Sequence, residues 1–356
     1  MNLEPELSAF LETIRKFREK ELEPFILDWE EARTPLPEAL MKKADGIGLF
    51  NFWIPAGEAE TALLPGIKSM LATTQELAHS SADLAWLIAL QITAYQLLAG
   101  SEIKLKNQIL GEINQSASGS IPRIFTIGLW EPGVKTQSEI QSQLNLKTGK
   151  AKIIKQLVPL AQSADWLIFS IKTEQDKLGW VILKKEELAH FKIQLQSVLG
   201  LRLCPRYLVE GEIEIDPERF FGENNFERVF KEAMGISLLL ATATALGVAQ
   251  SAYEKARAYA QERYQGGNLI IEQRVISHLL SEMKAKLIEA ESALSVIEED
   301  FNFEKVGLLR KRILNQMIEL ALDAVQILGG YGYMLDYGQE KRLRDIVTLA
   351  HLELAV

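Results

Sequence analysis

A chain of 356 residues is longer than one hydrophobic core usually serves, so we expect two or three packed modules. Its composition, 47% hydrophobic and 24% charged, excludes a disordered chain, a collagen-like repeat and a disulfide-rich scaffold. The net charge of −9 disfavours nucleic-acid binding, because phosphate backbones repel an acidic surface. The single cysteine, Cys204, cannot form an internal disulfide, and the four histidines lack metal-ligand spacing, so we predict no metal site.

Two long uncharged runs have to be weighed as membrane spans. Residues 84–101 and 233–253 carry no charged side chain, but serine, threonine and glutamine interrupt both runs. Neither run has the flanking lysine and arginine asymmetry of a span, so we expect core helices of a large bundle and no membrane span. The N-terminal residues are acidic where a secretion signal would be basic and then apolar, which predicts a soluble, cytoplasmic protein.

The first third of the sequence is predicted to be helical. Apolar residues recur at helical spacing from Leu7 to Phe17, and Pro24 ends or kinks that helix. Pro37 begins another helix, since a proline at the first helical position has no hydrogen-bond donor to lose. The remaining segments of this third are a loop over residues 55–66, helices over roughly residues 67–80 and 82–99, and a shorter helix before a linker at residues 116–120.

From Ile121 the pattern changes to short alternating or β-branched runs separated by turn residues. The six runs are IFTIGLW, KAKIIKQLV, DWLIFSIKT, LGWVILKK, FKIQLQSV and YLVEGEIEI. They predict an antiparallel barrel or sandwich, and strands do not alternate with helices as a Rossmann module requires. Long helical stripes then return. We therefore predict an α+β multidomain protein with a helical domain over residues 1–120, a β domain over 121–222 and a helical bundle over 223–356.

Two glycine-containing segments resemble ligand-binding motifs. Residues 46–51 (GIGLFN) nearly match GxGxxG, but they follow a helical pattern and lack the third glycine, which indicates a helix-to-loop turn. The segment from residue 326 to residue 345 is more informative, because Gly329, Gly330 and Gly332 end a helix there. Glycines let a backbone approach a large ligand and present its N–H groups to an anion. On the glycines alone, a helix C-cap with close packing is the alternative.

This segment, QILGGYGYMLDYGQEKRLRD, resembles the C-terminal signature of acyl-CoA dehydrogenases, in which Q-I-x-G-G-Y-G-Y precedes an acid, a tyrosine and a charged helix. Residues 246–250 and 262–267 are similar to the family's L-G-x-A-Q and E-R-x-Q-F-G pair, and residues 20–24 and 131–132 fit in the expected order. The resemblance covers nearly the whole chain and matches the helical, β, helical order. It implies an FAD-dependent flavoprotein oxidoreductase of fatty acid metabolism.

The resemblance also implies where FAD binds. FAD would lie between the β domain and the C-terminal bundle, with its pyrophosphate held partly by the neighbouring subunit. Arg263 would pair with the pyrophosphate, although a helix-end charge favoured by the helix dipole is the alternative. The other residues that the resemblance assigns to the cofactor are Leu129, Trp130, Gln265, Gln326, Gly329 and Gly330. A shared site and two apolar helices together predict a homo-oligomer, a dimer of dimers and hence a homotetramer.

Several positions depart from the family pattern. The family's L-T-E-P is LWEP at residues 129–132, which replaces a threonine hydroxyl near the flavin by an indole. The following A-G-S-D is VKTQ at residues 134–137, and the phenylalanine of E-R-x-Q-F-G is Gly266. We match the second flavin-facing strand to residues 153–155 (IIK). The site, and not the fold, must therefore decide the function.

The leading hypothesis is FAD-dependent α,β-dehydrogenation of an acyl thioester, carried on CoA or a carrier protein. In register from Arg344 and Asp345, the family's R-D-x7-E implies Glu353 as the base that removes the α-proton. Some relatives carry the base on the first long C-terminal helix, where this chain has Ser237. A solvated glutamate on an amphipathic tail is the alternative for Glu353. The competing functions are a flavin-dependent monooxygenase or oxidase and a non-catalytic oligomeric relative; the electron acceptor does not follow from the sequence.

Overall fold

The structure is a computed structural model that describes residues 5–54, 66–100, 109, 121–299 and 301–352. Five helices of the N-terminal region are described: α1 (Pro5–Glu21), α2 (Ile26–Ala32), α3 (Glu38–Gly46), α4 (Ile67–Ala78) and α5 (Ala82–Ala99). The expected loop over residues 55–65 and the expected short helix and linker before residue 120 lie outside the described residues, apart from residue 109.

The predicted helix boundaries of this region agree closely with the structure. Pro24 lies in the turn after α1, and Pro37 is the extended residue immediately before α3 and not its first helical residue. The GxGxxG-like segment is the turn that follows α3, with Gly48 at φ +86°. That conformation suits a glycine, and the segment is the helix-to-loop turn that the sequence predicts.

The middle region is a sheet, and all six predicted runs contain strands. The strands are β1 (Phe125–Gly128), β2 (Gln143–Leu144), β3 (Lys150–Pro159), β4 (Trp166–Thr173), β5 (Leu178–Lys184), β6 (Lys192–Gln196), β7 (Arg206–Glu214) and β8 (Phe220–Phe221). Their order is β6-β7-β3-β2-β4-β5-β8, with β1 also beside β4. The sheet is mixed, because β1 and β2 pair with β4 in parallel while the other pairings are antiparallel. The expected antiparallel pattern is thus interrupted only at β4.

Long helices form the C-terminal region. They are α6 (Phe226–Glu262), α7 (Arg274–Glu299), α8 (Phe303–Leu328) and α9 (Gln339–Ala350), and a small hairpin of β9 (Tyr264–Gln265) and β10 (Asn268–Leu269) follows α6. The largest hydrophobic core contains side chains of α1, α3, α4 and α5 together with those of α6 to α9. A second core joins α5 and α6 to the sheet. The helical, β, helical order is confirmed, and the two helical regions pack around α6.

α5 and α6 are long and apolar enough to cross a membrane by length and composition. In the structure, however, 83% of the most apolar window of α5 and 89% of that of α6 are buried within the protein. The apolar side chains of these two helices therefore form the centre of the fold, as is typical of core helices in a bundle.

Candidate active site

A cavity of about 300 Å³ lies where α5, the sheet and α6 meet. Its walls are mainly apolar or aromatic, with a few polar groups, as in small-molecule sites. α5 contributes Trp86, Leu90 and Thr93, and α6 contributes Met234, Ser237, Leu238 and Ala241. These side chains form the helical wall of the cavity, and the sheet forms the wall opposite.

Leu129 and Trp130 lie in the sheet wall, in agreement with a position beside a ligand. They follow β1 directly, and the carbonyl oxygen of Trp130 accepts a hydrogen bond of 2.8 Å from the Gln156 N–H of β3. This bridge fixes the backbone of Trp130, which lines the cavity at the position where the family pattern has a threonine.

The residues of β3 that line the cavity are Gln156, Leu157 and Pro159. Residues 153–155, which the sequence match assigned to the flavin-facing strand, are not among them. Ile153 is buried in the core of the sheet, and Lys155 is buried in an ion pair. The reason is a shift of register between Lys155 and Val158, which changes the face that each later residue presents.

The irregularity in β3 centres on Leu157, whose backbone lies at φ +55°. A leucine seldom adopts this left-handed conformation, and here the Leu157 N–H donates a hydrogen bond of 2.7 Å to the side-chain oxygen of Gln196 on β6. The bulge directs Leu157 toward the cavity, as bulges beside binding sites often do.

Lys155 and Glu131 form a fully buried ion pair of 2.6 Å beneath the sheet wall. The Lys155 ammonium also donates to the Ser170 hydroxyl, and the Glu131 carboxylate accepts from the backbone N–H groups of Gln141 and Ser142. Burial lowers the pKa of Lys155 to about 8, although Glu131 opposes the shift. Glu131, which the resemblance includes in a motif, thus ties the segment after β1 to β3.

Arg206, the first residue of β7, also lines the cavity and is 5% exposed. Its Nε and Nη2 atoms are buried and have no hydrogen-bond partner among the residues that the structure describes. Burial lowers the pKa of Arg206 to about 10, while Cys204 and Asp83 act in the opposite direction. The Nε1 atom of Trp86, on the helical wall, is likewise buried without a hydrogen-bond partner. The cavity therefore contains two side chains with hydrogen-bond donors that lack acceptors.

Arg206 was not expected as a site residue. It alternates with Tyr207 and Val209, whose side chains contribute to the core of the sheet. A charged residue in the opposite phase of a strand usually faces solvent, so the sequence pattern contains no signal that distinguishes it.

The end of α9 completes the cavity, where His351 and Leu352 line it. Arg310 of α8 holds this end, because its Nη2 donates to the carbonyl oxygens of Leu349 (2.7 Å), Leu352 (3.2 Å) and Ala350 (3.3 Å). Glu353 itself lies outside the described residues.

The second family position for a base does lie in the cavity, since Ser237 of α6 lines it. Ser237 is buried and belongs to the helical wall. A carboxylate carried at this position would face the cavity, which His351 and Leu352 also line.

Five of the residues that the resemblance assigns to FAD lie elsewhere, on the surface. None of them is among the residues that line the cavity, and all five are exposed: Arg263, Gln265, Gln326, Gly329 and Gly330. Arg263 follows α6, and its guanidinium lies 5.9 Å from the ring centroid of Tyr331, in the turn after α8. The structure thus brings Arg263 next to the glycine-tyrosine segment and separates both from Leu129 and Trp130.

The glycines of this turn have different roles. A Cβ atom on Gly329 or Gly330 would meet nothing within 4 Å, so the backbone there is open to a ligand, and Gly329 lies at φ +57°. A Cβ atom on Gly332 would lie 2.2 Å from the Val325 carbonyl oxygen, so this glycine serves close packing. The packing role that the sequence left open thus applies to Gly332, while the backbone at Gly329 and Gly330 is open.

The charged part of the motif, residues 339–345 in α9, links several helices through ion pairs. The Lys341 ammonium of α9 lies 2.6 Å from Asp345, 3.1 Å from Asp83 of α5 and 3.4 Å from Glu30 of α2. Although burial opposes it, these carboxylates raise the pKa of Lys341. Asp345 in turn accepts a hydrogen bond of 2.8 Å from the Leu201 N–H. We assign this half of the motif to folding and not to cofactor binding.

Among the described residues, no group of three histidine, cysteine, aspartate or glutamate side chains could hold a metal ion. The titratable side chains on the cavity walls are those of Arg206 and His351. The chemistry available there is therefore hydrogen bonding, charge stabilisation and proton transfer.

Comparisons with known proteins match both helical regions. The model of the acyl-CoA dehydrogenase N-terminal domain matches residues 4–116, and that of the acyl-CoA dehydrogenase C-terminal domain matches residues 228–353. The caffeyl-CoA reductase-Etf complex subunit CarC of Acetobacterium woodii is 26% identical over 351 residues, covering 93% of this chain and 90% of CarC.

Solved structures of low sequence identity share the fold. Butyryl-CoA dehydrogenase of Megasphaera elsdenii superposes with a TM-score of 0.86 at 20% identity, covering 98% of this chain and 94% of that one. Glutaryl-CoA dehydrogenase of Mycobacterium smegmatis in complex with FADH2 has a TM-score of 0.84 at 17% identity, covering 98% and 91%.

Proposed function

The chain belongs to the acyl-CoA dehydrogenase family as a divergent member, and from that premise we propose that it is an FAD-dependent oxidoreductase. It would introduce an α,β double bond into an acyl thioester carried on CoA or on a carrier protein. The arrangement of the cavity carries this proposal. A donor-bearing sheet wall faces a helical wall that includes Ser237, one family position for a base, and His351 and Leu352, which directly precede the other position, also line the cavity.

The residues present fit FAD. Leu129 and Trp130 would contact the flavin ring. The buried donors of Arg206 and Trp86, which have no acceptor among the described residues, could bind the heteroatoms of a ligand. The open backbone at Gly329 and Gly330 and the exposed guanidinium of Arg263 suit a pyrophosphate. FAD, when bound, supplies the acceptor for two electrons and the β-hydrogen of the substrate.

Glu353 is proposed as the base that removes the α-proton. The two residues before it line the cavity, and Arg310 fixes the backbone from which it continues. A carboxylate that enters an apolar, water-poor cavity has a raised pKa and becomes a better proton acceptor near neutral pH. The walls would hold the acyl chain so that its α and β C–H bonds face the base and the flavin respectively.

We further propose that a second copy of the chain completes the FAD site, in a dimer of dimers. Arg263 and the glycine turn lie away from the cavity of their own chain, and exposed aromatic and apolar side chains surround them. These are Tyr264, Tyr331, Tyr333, Met334, Leu335 and Tyr337. An exposed apolar cluster of this kind is typical of a protein interface.

Anaerobic flavin reduction tests the proposed activity. The purified chain is loaded with FAD and mixed with a panel of saturated acyl-CoA and acyl-carrier-protein thioesters, and flavin absorbance is followed. We expect at least one thioester to bleach the flavin. The reverse direction is included, with reduced flavin and an α,β-unsaturated thioester, because CarC is named as a subunit of a caffeyl-CoA reductase complex. A chain that refuses FAD would favour the non-catalytic alternative, and reduction by nicotinamide cofactors alone would favour the monooxygenase.

A further inference from the structure

Arg206 is a buried cation that has no counterion among the described residues of the cavity. Within the part of the chain that the structure describes, its side chain makes no ion pair or hydrogen bond, and two of its three guanidinium nitrogens are buried. Burying a charge without a partner is costly, and proteins retain such a group where a ligand supplies the partner. The guanidinium presents planar, directional donors that match an acceptor edge of a ring or a carboxylate.

The position of Arg206 indicates which ligand it contacts. Arg206 pairs with Pro159 across β3 and β7, and Pro159 lines the cavity with Leu129 and Trp130. Arg206 thus belongs to the sheet wall, which the proposed function assigns to the flavin. Ser237 and the tail after α9 form the opposite wall, where the acyl group would meet its base.

We propose that Arg206 binds the oxygen- and nitrogen-bearing edge of the isoalloxazine ring of FAD and stabilises the negative charge that the ring gains on reduction. This inference rests on the proposed function. In that reaction the β-hydrogen leaves with two electrons to the ring while the α-proton passes to the base, so the ring gains one negative charge. A fixed guanidinium favours this charged form and thereby raises the reduction potential of the bound cofactor.

Arg206 would stabilise the bound cofactor, but in the protein without cofactor it would lower the stability of the fold. In the apoprotein the guanidinium has no partner among the described residues, so Arg206→Met removes a buried charge without a visible counterion and keeps an unbranched side chain of similar length. We expect the apo variant to melt at a higher temperature than apo wild type. With FAD, the gain in melting temperature that the cofactor confers should shrink, because the ligand has lost one of its contacts.

The experiment compares wild type, Arg206→Met and Arg206→Lys as apo and FAD-loaded full-length protein. The measured quantities are the FAD dissociation constant, the midpoint potential of the bound flavin and the melting temperature. For Arg206→Met we expect FAD affinity to fall by roughly tenfold or more, as for the loss of a charged hydrogen bond, and the potential to become more negative. Arg206→Lys, which keeps the charge, should restore most of the potential but only part of the affinity.

Arg342→Met is the matched control. Arg342 is half-buried, and burial lowers its pKa to about 10 as well, but it donates hydrogen bonds to the Ser251 hydroxyl and the Gly338 carbonyl oxygen. Its replacement should lower the melting temperature of apo and FAD-loaded protein alike and leave the flavin potential unchanged.

Three outcomes overturn the inference. If Arg206→Met keeps wild-type FAD affinity and potential, Arg206 does not contact the flavin, while the proposed function stands. If the variant keeps both values and loses only the binding of thioesters with a carboxylate on the acyl tail, Arg206 recognises substrate instead. If wild type binds no FAD, the proposed function fails together with the inference.

Discussion

At the scale of single residues, the chemistry depends on which carboxylate reaches the cavity. His351 and Leu352 bring the chain to its edge, and Ser237 lies on the helical wall with a hydroxyl that cannot act as a base at neutral pH. Ser237 is therefore a position inside the cavity at which a carboxylate can be introduced when Glu353 is replaced.

Glu353→Gln keeps the shape of the side chain and removes its basicity. If Glu353 is the base, flavin reduction by an acyl thioester slows by at least two orders of magnitude while FAD stays bound. Stopped-flow absorbance measures the rate, and the flavin-to-protein absorbance ratio controls for cofactor loss. Adding Ser237→Glu to this variant should recover part of the rate. Unchanged reduction by Glu353→Gln would show that the proton goes to another group.

Arg263→Ala tests the surface half of the cofactor site. A charge-assisted contact to pyrophosphate contributes on the order of 1.5–3 kcal/mol, so FAD affinity should fall by roughly tenfold or more. Folding should change by well under 1 kcal/mol, because Arg263 is exposed and loses only its approach to Tyr331. Equilibrium dialysis and urea unfolding of the apoprotein measure the two effects. The control is Arg228→Ala, which removes an exposed arginine of α6 that pairs with Glu232. If both variants bind FAD with equal affinity, Arg263 does not contact the pyrophosphate and is only a charge at the end of a helix.

At the scale of secondary-structure elements, β3 shows where sequence patterning succeeds and where it fails. Alternation located the strand, because side chains of opposite faces have different environments. It could not locate the register shift after Lys155, since the run IIKQLV is mostly apolar on both sides of the shift. The sequence match therefore pointed to residues 153–155, whereas the residues of β3 that line the cavity are Gln156, Leu157 and Pro159.

The buried pair Lys155–Glu131 determines how β3 responds to alkaline pH. The folded-state pKa of Lys155 is lowered to about 8, below its value in the unfolded chain, so the unfolded state binds more protons between these values. The free energy of unfolding should therefore gain on the order of 1–3 kcal/mol from this residue between about pH 8 and 10.5. The double variant Lys155→Met/Glu131→Gln should not show this pH-dependent gain in the free energy of unfolding.

Chemical denaturation of both proteins from pH 7 to 10.5 provides the measurement. The single variant Lys155→Met should lose about 3–5 kcal/mol at pH 7, because it leaves the Glu131 carboxylate buried without its cation. Parallel pH profiles of wild type and the double variant would contradict a lowered pKa of Lys155.

At the scale of the whole molecule, the order of domains was readable from the sequence because each region repeats one hydrophobic period many times. The hydrophobic pattern could not predict that the residues assigned to FAD fall into two groups, one in the cavity and one on the surface, because it does not specify which residues meet in space. Six of the seven proposed FAD residues follow the family motifs, and only Leu129 and Trp130 reach the cavity of their own chain. The expected homo-oligomer stays a prediction that this division supports.

If two chains share one FAD, cofactor binding and association must be thermodynamically linked. We expect the apparent FAD dissociation constant to fall as protein concentration rises, and FAD to shift the association equilibrium toward the oligomer. Sedimentation velocity with and without FAD measures the second effect. Tyr333→Glu, which places a charge in the exposed aromatic cluster, should weaken association and FAD binding together. Lys231→Glu, on an exposed site of α6, is the control for added negative charge. A monomer that binds FAD tightly at all concentrations would contradict the shared site.

The hydrogen bonds from Arg310 to the end of α9 have a genetic consequence. The side chain belongs to α8, and it positions the backbone at the end of the next helix, α9, just before residue 353. A screen for inactive alleles would therefore recover substitutions at position 310 beside those in the cavity, from protein that is still expressed and still yellow. Arg310 would affect the activity through the backbone that it holds and not through contact with the substrate. A list of functional residues taken only from the cavity walls would therefore omit it.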